Sequence, residues 1–552
     1  MVDHYRELVK DLSAPAEFVA ADAARVARSI EQLPMASPVV ATVELARVLD
    51  VLAQPEALSP VEREKCLSLA RRQIDALLGG VRAQIIGESH PLPPAKADMA
   101  AALLALCARY GTACCIAVHE ATAPAGRVSL FARARVAGLL GQALDGLAQA
   151  LVLAYQLYET PPDGLWKRLH AVYGFAAARG LGKRETDAGG HRVSLSRRYV
   201  AALLLAMSNP YAFQRNELAQ VVDACRVLAR HAGLVDHLGG AAAVASDAGG
   251  SGPGYLPQER GRPERGELAL NLEPLIAAAE ERLVQTPPEQ DAVALSSRRE
   301  GSVEVPRYLL QRLVRAWRGS VERGHERMHT EHALDTVLGL HAVHQVLAGG
   351  QGFDSFQRQL GGHEIELGSQ DAAAWTGSAS TGSVIVTAVR VLDQSLGGYR
   401  LLWPAQQRPR VRIGELVGLA MHAQEHGDTA VGAPQWLIGL VRWLRGTSNG
   451  SLHVGIELLA AQARPAVVRG IDAGGTRGPT LRALILDQDE TMSILLPSIG
   501  GRAFDGIEIS APADAARGGN ALRHVIFRVC AVEPLGMAYY RVSLSDAATA
   551  AD

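Results

Sequence analysis

The first half of the chain is dominated by apolar residues that recur every three or four positions. This spacing places apolar side chains along one face of a helix, and short Pro-rich or Gly-rich breaks separate the segments that show it. Consecutive helices joined by short breaks predict an all-α domain over residues 1–240. The predicted helices are Ala16–Gln32, Val40–Leu52, Ser59–Leu78, Lys96–Tyr110, Leu130–Leu157, Leu165–Ala178, Arg197–Met207 and Arg215–Ala232.

The second half of the chain shows a different pattern, made of short runs rich in Val, Ile, Leu and aromatic residues. Such runs, separated by turn residues, are typical of β-strands. They predict a small antiparallel β-barrel over residues 299–465 and a further β extension over residues 466–552. The predicted strands are 333–347, 384–393, 399–403, 411–420, 436–445 and 451–459, then 481–486, 491–496, 506–509, 525–532 and 538–544.

Two segments interrupt this division. Residues 241–298 are rich in Gly, Ala, Ser, Pro and charge, which predicts a linker, with one helix at Leu268–Leu283. Residues 349–382, rich in Gly, Gln, Ser and Ala, are predicted to form an insertion between the first two barrel strands. The expected fold class is therefore multidomain α + β, with a helical N-terminal half, a β-barrel and a small C-terminal β extension.

Length and charge limit the functional classes. A chain of 552 residues is long enough for two to four domains. Its net charge of −2 lacks the strong positive field of a general nucleic-acid-binding protein. Any polyanion that this chain recognises must therefore meet a local cluster of arginines.

The cysteines and the N-terminal residues suggest a cellular compartment. None of the six cysteines lies in a Cys-x-x-Cys pair, which predicts free thiols in a reducing environment. The N-terminus lacks the basic-then-apolar order of a signal peptide. The most apolar stretch, Met99–Val118, is interrupted by Arg109 and Gly111. We therefore expect a cytoplasmic protein without a membrane span.

The most informative local pattern is an Asp-x-Ser-x-Gly-Gly corner between two apolar runs. It consists of Asp393, Ser395, Gly397 and Gly398. Asp and Ser side chains can bond the backbone of their own turn, and glycine admits positive φ and close approach to the main chain. The sequence therefore predicts a tight corner between two strands at which a ligand can meet backbone and carboxylate.

Upstream of this corner, Arg323 and Arg327 lie four positions apart. Together the two segments resemble the Arg-x-x-x-Arg and Asp-x-Ser-x-x-Gly motifs of the PilZ family, whose members of this type bind cyclic di-GMP. The resemblance continues in Trp436–Arg445 and Leu452–Leu458, which look like the late hairpin of the same barrel. Two N-terminal pieces look like the helical region of larger bacterial PilZ proteins, namely Trp166–Tyr173 and Met207–Tyr211 with Glu217 and Leu218.

The resemblance implies a role for each site residue. The guanidinium groups of Arg323 and Arg327 would grip phosphate or the guanine O6/N7 edge and stack on a base. Asp393 would accept from guanine N1 and N2, while Ser395 and the amides near Gly397 and Gly398 would meet phosphate or base. One departure from the family is the separation of Arg327 from Asp393, which is longer than usual because of the insertion.

The function implied by the resemblance is a receptor for cyclic di-GMP and not an enzyme. It needs no cofactor and no metal. Binding of the ligand between the arginine segment and the Asp393–Gly398 corner would order the segment and shift the balance between two arrangements of the chain. The output would be a protein contact made by residues 1–240, as in effectors that control motility, attachment or exopolysaccharide.

Two alternatives remain open. One is a PilZ-like scaffold or adaptor that has the fold without the affinity for the ligand. The other is a zinc hydrolase, because His325, Glu326 and His329 match His-Glu-x-x-His, which on a helix places two zinc ligands and a general base on one face. Gly319 and Gly324 precede this motif and strand-like sequence follows it, which disfavours the required helix.

Overall fold

The chain forms two compact units. One comprises residues 1–88 and 92–322, and the other comprises residues 89–91 and 323–552. The computed structural model describes the following residues: 22–55, 57–122, 126–235, 242–246, 250–255, 267–297, 301–319, 328–330, 332–360, 384–405, 410–421, 434–447, 449–486, 492–498, 505–513, 521–535 and 538–546.

Helices make up most of the first unit, as predicted. Two long helices, Pro94–Thr122 (α4) and Arg133–Gln156 (α5), pack against each other and are mostly buried. Both are long and apolar enough to cross a membrane, but their burial in the core explains that composition equally well. The helices are α1 (Ala23–Glu31), α2 (Pro38–Leu52), α3 (Pro60–Ile85), α4 (Pro94–Thr122), α5 (Arg133–Gln156), α6 (Leu165–Ala178), α7 (Leu195–Met207) and α8 (Arg215–Leu228).

Local sequence signals placed the start of α3 correctly, whereas α4 extends beyond its predicted end. Ser59 and Glu62 form a reciprocal capping box at the start of α3, in which each side chain accepts from the other residue's backbone N–H. Helix α4, in contrast, continues beyond the predicted end at Tyr110. Gly111 lies inside this helix at its contact with α5, where a side chain would come within 2.8 Å of Leu147 Cγ. This glycine allows the two central helices to approach closely.

Strands β1 (Glu185–Ala188) and β2 (His191–Ser194) form a hairpin before α7. The segment predicted as a linker, residues 241–298, also contains strands, which differs from the expectation. Four later strands, three of them after residue 240, form a sheet in the order β3-β6-β4-β5. The strands and the following helix are β3 (Gly233–Val235), β4 (Ala242–Ser246), β5 (Gly254–Tyr255), β6 (Glu267–Asn271) and α9 (Glu273–Gln285).

The segment assigned to the barrel includes residues 306–318, whose apolar spacing predicts a helix; the structure confirms this helix but packs it in the helical unit. Strands β7 (Ala292–Ser297) and β8 (Gly301–Pro306) form a hairpin that leads into α10 (Arg307–Trp317). Trp317 is fully buried in the core of the helical unit, and its indole N–H donates to the carbonyl of Leu204 at 3.1 Å. Burial of the largest apolar side chain in this segment therefore places α10 with the helices.

The second unit contains the predicted antiparallel β-barrel. Its strands follow the order β10-β13-β14-β15-β12-β11, and pairing of β10 with β11 closes the ring. A further short strand, β9, pairs with the end of β11. The strands are β9 (Met328–His329), β10 (Ala333–Leu338), β11 (Thr387–Ser395), β12 (Gly398–Trp403), β13 (Leu416–Met421), β14 (Leu437–Gly446) and β15 (Leu452–Ala460).

The first barrel strand is shorter than predicted. Strand β10 ends at Leu338, and helix α11 (Gly339–Leu347) follows where the prediction continued the strand to residue 347. Gly339 has φ +83°, which turns the chain, and Leu340 and Val343 then point into the core at helical spacing. The predicted insertion includes a second helix, α12 (Phe353–Gln359), while residues 361–383 lie outside the described part.

The C-terminal β extension is itself a closed barrel in the order β16-β17-β18-β21-β20-β19. It shares a hydrophobic core with the first barrel, in which Leu484 and Leu495 pack with Leu340 and Leu416. The predicted strands of this region are confirmed. They are β17 (Arg477–Leu486), β18 (Ser493–Pro497), β19 (Gly506–Ala511), β20 (Leu522–Pro534) and β21 (Tyr539–Asp546), with β16 (Ala463–Ile471) preceding them.

A buried histidine on α11 makes the stability of this unit depend on pH. His344 is fully buried beside the rings of Phe353 and Phe356, and burial together with the charge of Arg482 lowers its pKa to about 3. The unfolded chain therefore binds a proton there between the ordinary histidine pKa of about 6.5 and about 3, and the folded chain does not. We therefore expect His344 to lower the free energy of unfolding by up to about 1.4 kcal/mol for each pH unit below 6.5.

Thermal unfolding between pH 7 and pH 4.5 tests this linkage. His344→Leu should show a smaller loss of unfolding temperature on acidification than the wild type, because it carries no titrating group at that position. The exposed His191, replaced by leucine, serves as the matched control and should keep the wild-type pH dependence. An identical pH profile for His344→Leu and the wild type would contradict the assignment.

Candidate ligand-binding site

The Asp-x-Ser-x-Gly-Gly corner is a tight hairpin between β11 and β12. Ser395 lies opposite Gly398, so only Leu396 and Gly397 form the turn. The hydroxyl of Ser395 donates to the carbonyl of Gly398 at 3.4 Å. The corner was predicted from local sequence, and the structure places Asp393 and Ser395 at the end of the incoming strand.

A β-bulge places Asp393 on the outer face of the barrel. Val391 pairs with Leu401, and both are fully buried, whereas the next paired residue, Asp393, lies opposite Arg400. The register shift between them turns the carboxylate towards the face that Arg400 occupies. Arg400 Nη1 lies 3.6 Å from Asp393 Oδ2, and Asp393 is 5% exposed. The carboxylate is therefore held in a sheltered position next to a cation.

Strand β9 connects the upstream arginine segment with this corner. Met328 lies opposite Gln394, and His329 lies opposite Asp393. Arg323 and Arg327 lie outside the described residues, but Met328 follows Arg327 directly in the sequence. Met328, the residue after the second arginine of the motif, therefore belongs to the strand that pairs with Asp393.

A row of paired residues extends from Asp393 across the outer face of the sheet. Arg400 lies opposite Gly455, and Gly455 lies opposite Trp443. A side chain at Gly455 would come within 1.9 Å of Trp443 Nε1, so the indole covers this glycine. The four neighbouring strands β11, β12, β15 and β14 thus present a carboxylate, a guanidinium, a glycine and an aromatic ring in line on one surface.

A neutral histidine lies beside Arg400 on this surface. The guanidinium of Arg400 donates from Nη2 to His453 Nδ1 at 3.0 Å. Because a guanidinium has no acceptor, His453 must accept at Nδ1, and in its neutral form it carries the proton on Nε2. Burial and the charges of Arg400 and Arg445 lower the pKa of His453. A neutral histidine and a second arginine, Arg445, therefore lie beside the row.

Gly398 is required by the packing of the barrel. It has φ +157°, and a side chain on it would lie 2.0 Å from the carbonyl oxygen of Ile456 on β15. The neighbouring strand therefore occupies the space that the missing side chain leaves. Contacts of the Gly397 and Gly398 amides with a ligand stay a prediction.

Sequence reasoning did not identify Arg400, Trp443 and His453 as neighbours in the row that starts at Asp393. Each lies on a different strand, and only the register brings them into contact with the row that starts at Asp393. The alternation of buried and exposed positions along β12 and β15 indicates their outward orientation, but not which residues are neighbours.

The zinc alternative gains no support from the described residues. His329 lies in strand β9, whereas two zinc ligands of a His-Glu-x-x-His motif need one helix face. His325 and Glu326 lie outside the described residues. Within the described ranges, no group of three or more His, Cys, Asp or Glu residues has the arrangement of a metal site.

Comparisons with known proteins agree with the fold and the motif. Residues 23–237 match the family model described as the N-terminal domain of the cyclic-di-GMP receptor FimW. Residues 244–385 and 362–465 match the model described as its middle PilZ domain. The cyclic-di-GMP receptor FimW of Pseudomonas aeruginosa is 26% identical over 391 residues, and the match spans 62% of this chain and 62% of that protein.

No solved structure matches the chain. The two family models nevertheless cover in succession the helical unit, the sheet that follows it and the first β-barrel, including the Asp393 corner. The chain therefore belongs to the PilZ-domain family, among the members that carry a helical N-terminal region.

Proposed function

We propose that this chain is a receptor for cyclic di-GMP that binds at the outer face of the first barrel. The observation that carries the proposal is the pairing of β9 with the end of β11, because β9 starts directly after Arg327 and β11 ends with Asp393 and Ser395. The similarity to the cyclic-di-GMP receptor FimW of Pseudomonas aeruginosa supports the same ligand.

The residues of the site suit the chemistry of this ligand. Cyclic di-GMP carries two phosphates, two planar bases and guanine N–H donors. Arg327 and Arg323 supply forked cations for phosphate or the O6/N7 edge, and Asp393 accepts from guanine N1 and N2. Trp443 offers a flat apolar surface on the same face, on which a base can stack. The Asp393–Arg400 pair holds the carboxylate in place before the ligand arrives.

Calorimetric titration of the full chain with cyclic di-GMP tests the proposal. We expect saturable binding with micromolar or tighter affinity. Cyclic di-AMP is the control ligand, because adenine lacks both the N1–H and the amino group at C2 that Asp393 recognises, and it should bind at least about ten-fold more weakly. Absence of heat with cyclic di-GMP under conditions in which the chain is folded would contradict the proposal.

Arg400 is expected to position Asp393 and to contribute charge. Arg400→Ala should weaken cyclic di-GMP binding about ten-fold, because it removes one charged partner without removing a primary contact. Arg358→Ala on α12 is the matched control, since Arg358 bonds only groups of its own helix among the contacts in the described structure. Equal affinities for the two variants would show that Arg400 has no such role.

We also propose that the protein is a cytoplasmic binding protein rather than an enzyme, and that residues 1–240 contact a protein partner. The free cysteines support a reducing, cytoplasmic compartment, since five of the six are buried thiols in the helical unit. Affinity capture with the full chain, with and without cyclic di-GMP, tests the partner. A protein retained in a ligand-dependent manner supports the relay, and identical profiles in both conditions oppose it.

A further inference from the structure

The helical unit contains a cavity of about 490 Å³ that the proposed cyclic di-GMP site does not use. It lies among α3, α5, α7 and α8, and the β1–β2 hairpin forms one side. Its volume falls in the range of about 300–1,000 Å³ that small-molecule sites occupy. All of its lining residues belong to the first compact unit. The cavity is therefore distinct from the outer face of the barrel.

One part of the cavity wall is charged. Four arginines line it together with three aspartates, so positive charges outnumber negative charges by one. Arg71 pairs with Asp75 at 2.9 Å and lies 3.6 Å from Asp145. The remaining charged residues of the lining are Arg197, Arg198, Asp223 and Arg226.

Arg198 is buried and makes several hydrogen bonds, but one of its N–H donors has no acceptor among the described residues. It is 7% exposed and forms an ion pair with Asp145 through Nη1. Its Nη2 donates to the carbonyl and hydroxyl of Thr186 at 3.0 and 2.8 Å and to the carbonyl of Asp187 at 2.6 Å. Its Nε has no hydrogen-bond acceptor among the described residues. A buried N–H without an acceptor is costly, and an acceptor supplied by a ligand would remove that cost.

The opposite part of the wall is aliphatic. Leu151, Val152, Leu205 and Val227 are buried, and smaller apolar residues complete this surface. The described lining includes no Phe, Tyr or Trp side chain on which a purine could stack. An aliphatic body therefore fits this wall better than a nucleotide base does.

From these features we propose that the cavity binds a small monoanion with an aliphatic body, its acid group at the arginines and its chain against the leucines and valines. The Nε–H of Arg198, which has no acceptor among the described residues, provides a donor for one acid group. The mixed wall provides both hydrophobic burial and charge-assisted hydrogen bonds, which together give an orientation to the bound molecule.

Titration of the full chain with decanoate tests this site. Decanol serves as the probe that lacks the charge, and acetate as the probe that lacks the aliphatic chain. We expect saturable binding of decanoate, and at least about ten-fold weaker binding of decanol and of acetate. No saturable binding of decanoate up to about 1 mM would overturn the proposal. Equal binding of decanol would overturn the placement of the acid group at the arginines.

Two variants locate the binding. Arg226→Gln removes a cation from the rim and should weaken decanoate binding about ten-fold. Arg109→Gln is the matched control, because both arginines are half-exposed on helices of the same unit and both pair with an aspartate, Asp223 and Asp50 respectively. Ala201→Leu on α7 narrows the cavity from a half-buried position with little change in helix propensity and should weaken decanoate binding.

The outcomes separate this site from the cyclic di-GMP site. Decanoate affinity that is unchanged in both Arg226→Gln and Ala201→Leu, with each variant folded by circular dichroism, would overturn the location. Cyclic di-GMP should not displace decanoate, and competitive displacement would overturn the claim of a separate site. Because the two sets of residues lie in different compact units, either proposal can fail while the other holds.

Discussion

Asp393→Ala is expected to weaken cyclic di-GMP binding about 100-fold, and Arg327→Ala is expected to do the same. The carboxylate supplies the two-point acceptor for one guanine, and the arginine supplies a forked donor for phosphate or base. Each such contact contributes about 1–3 kcal/mol, and loss of the carboxylate also leaves the nearby Arg400 without its anionic partner. Calorimetric titration of each variant measures the effect.

The matched control for Asp393→Ala is Asp50→Ala. Asp50 also forms a contact with an arginine, Arg109 at 2.9 Å, but it lies on α2 in the other compact unit. The Asp50→Ala variant should therefore bind cyclic di-GMP with unchanged affinity. Unaltered binding by both Asp393→Ala and Arg327→Ala would remove the site from this corner of the barrel, even if the wild type binds the ligand.

Gly398→Ala is expected to destabilise the barrel by about 3–5 kcal/mol, whether or not ligand is present. An added side chain would lie 2.0 Å from the carbonyl oxygen of Ile456, and backbone at that position cannot move without breaking the pairing of β12 with β15. For a unit of this size the change corresponds to a fall of about 10 °C in the unfolding temperature. Differential scanning calorimetry of the full chain measures it.

Gly478→Ala provides the comparison for Gly398→Ala. Gly478 also lies in a strand of the second unit, but a side chain on it would meet its nearest neighbour at 3.5 Å, an ordinary contact distance. It should change the unfolding temperature by no more than about 2 °C. Similar shifts for both glycine variants would show that the clash with Ile456 does not determine the role of Gly398.

Local patterns predicted the elements of this chain well where one period continued without interruption. The helices α6 (Leu165–Ala178) and α2 (Pro38–Leu52) match their predicted spans closely, as do β19 and β21 in the C-terminal barrel. Errors arose where glycine had a tertiary role. Gly111 marks close packing of two helices rather than a helix end, and Gly339 starts a helix where a strand was expected to continue.

The candidate site was predicted only as far as it is local in sequence. Asp393, Ser395, Gly397 and Gly398 form one corner, and the motif identified them together. Arg400, His453 and Trp443 required knowledge of strand register and of the bulge after Val391, because a shift by one residue sends a side chain to the other face of the sheet. The cavity of the helical unit draws on four helices and has no signature in the sequence.

Hydrogen–deuterium exchange on the full chain, with and without cyclic di-GMP, tests the central claim most directly. The claim is that the arginine segment and the Asp393 corner bind one ligand together. Peptides that contain Arg323 and Arg327 and peptides that contain Asp393 to Gly398 should both exchange more slowly in the complex, while peptides from α3 and α8 should not change. Ligand-dependent protection that omits either of the two segments would contradict the account.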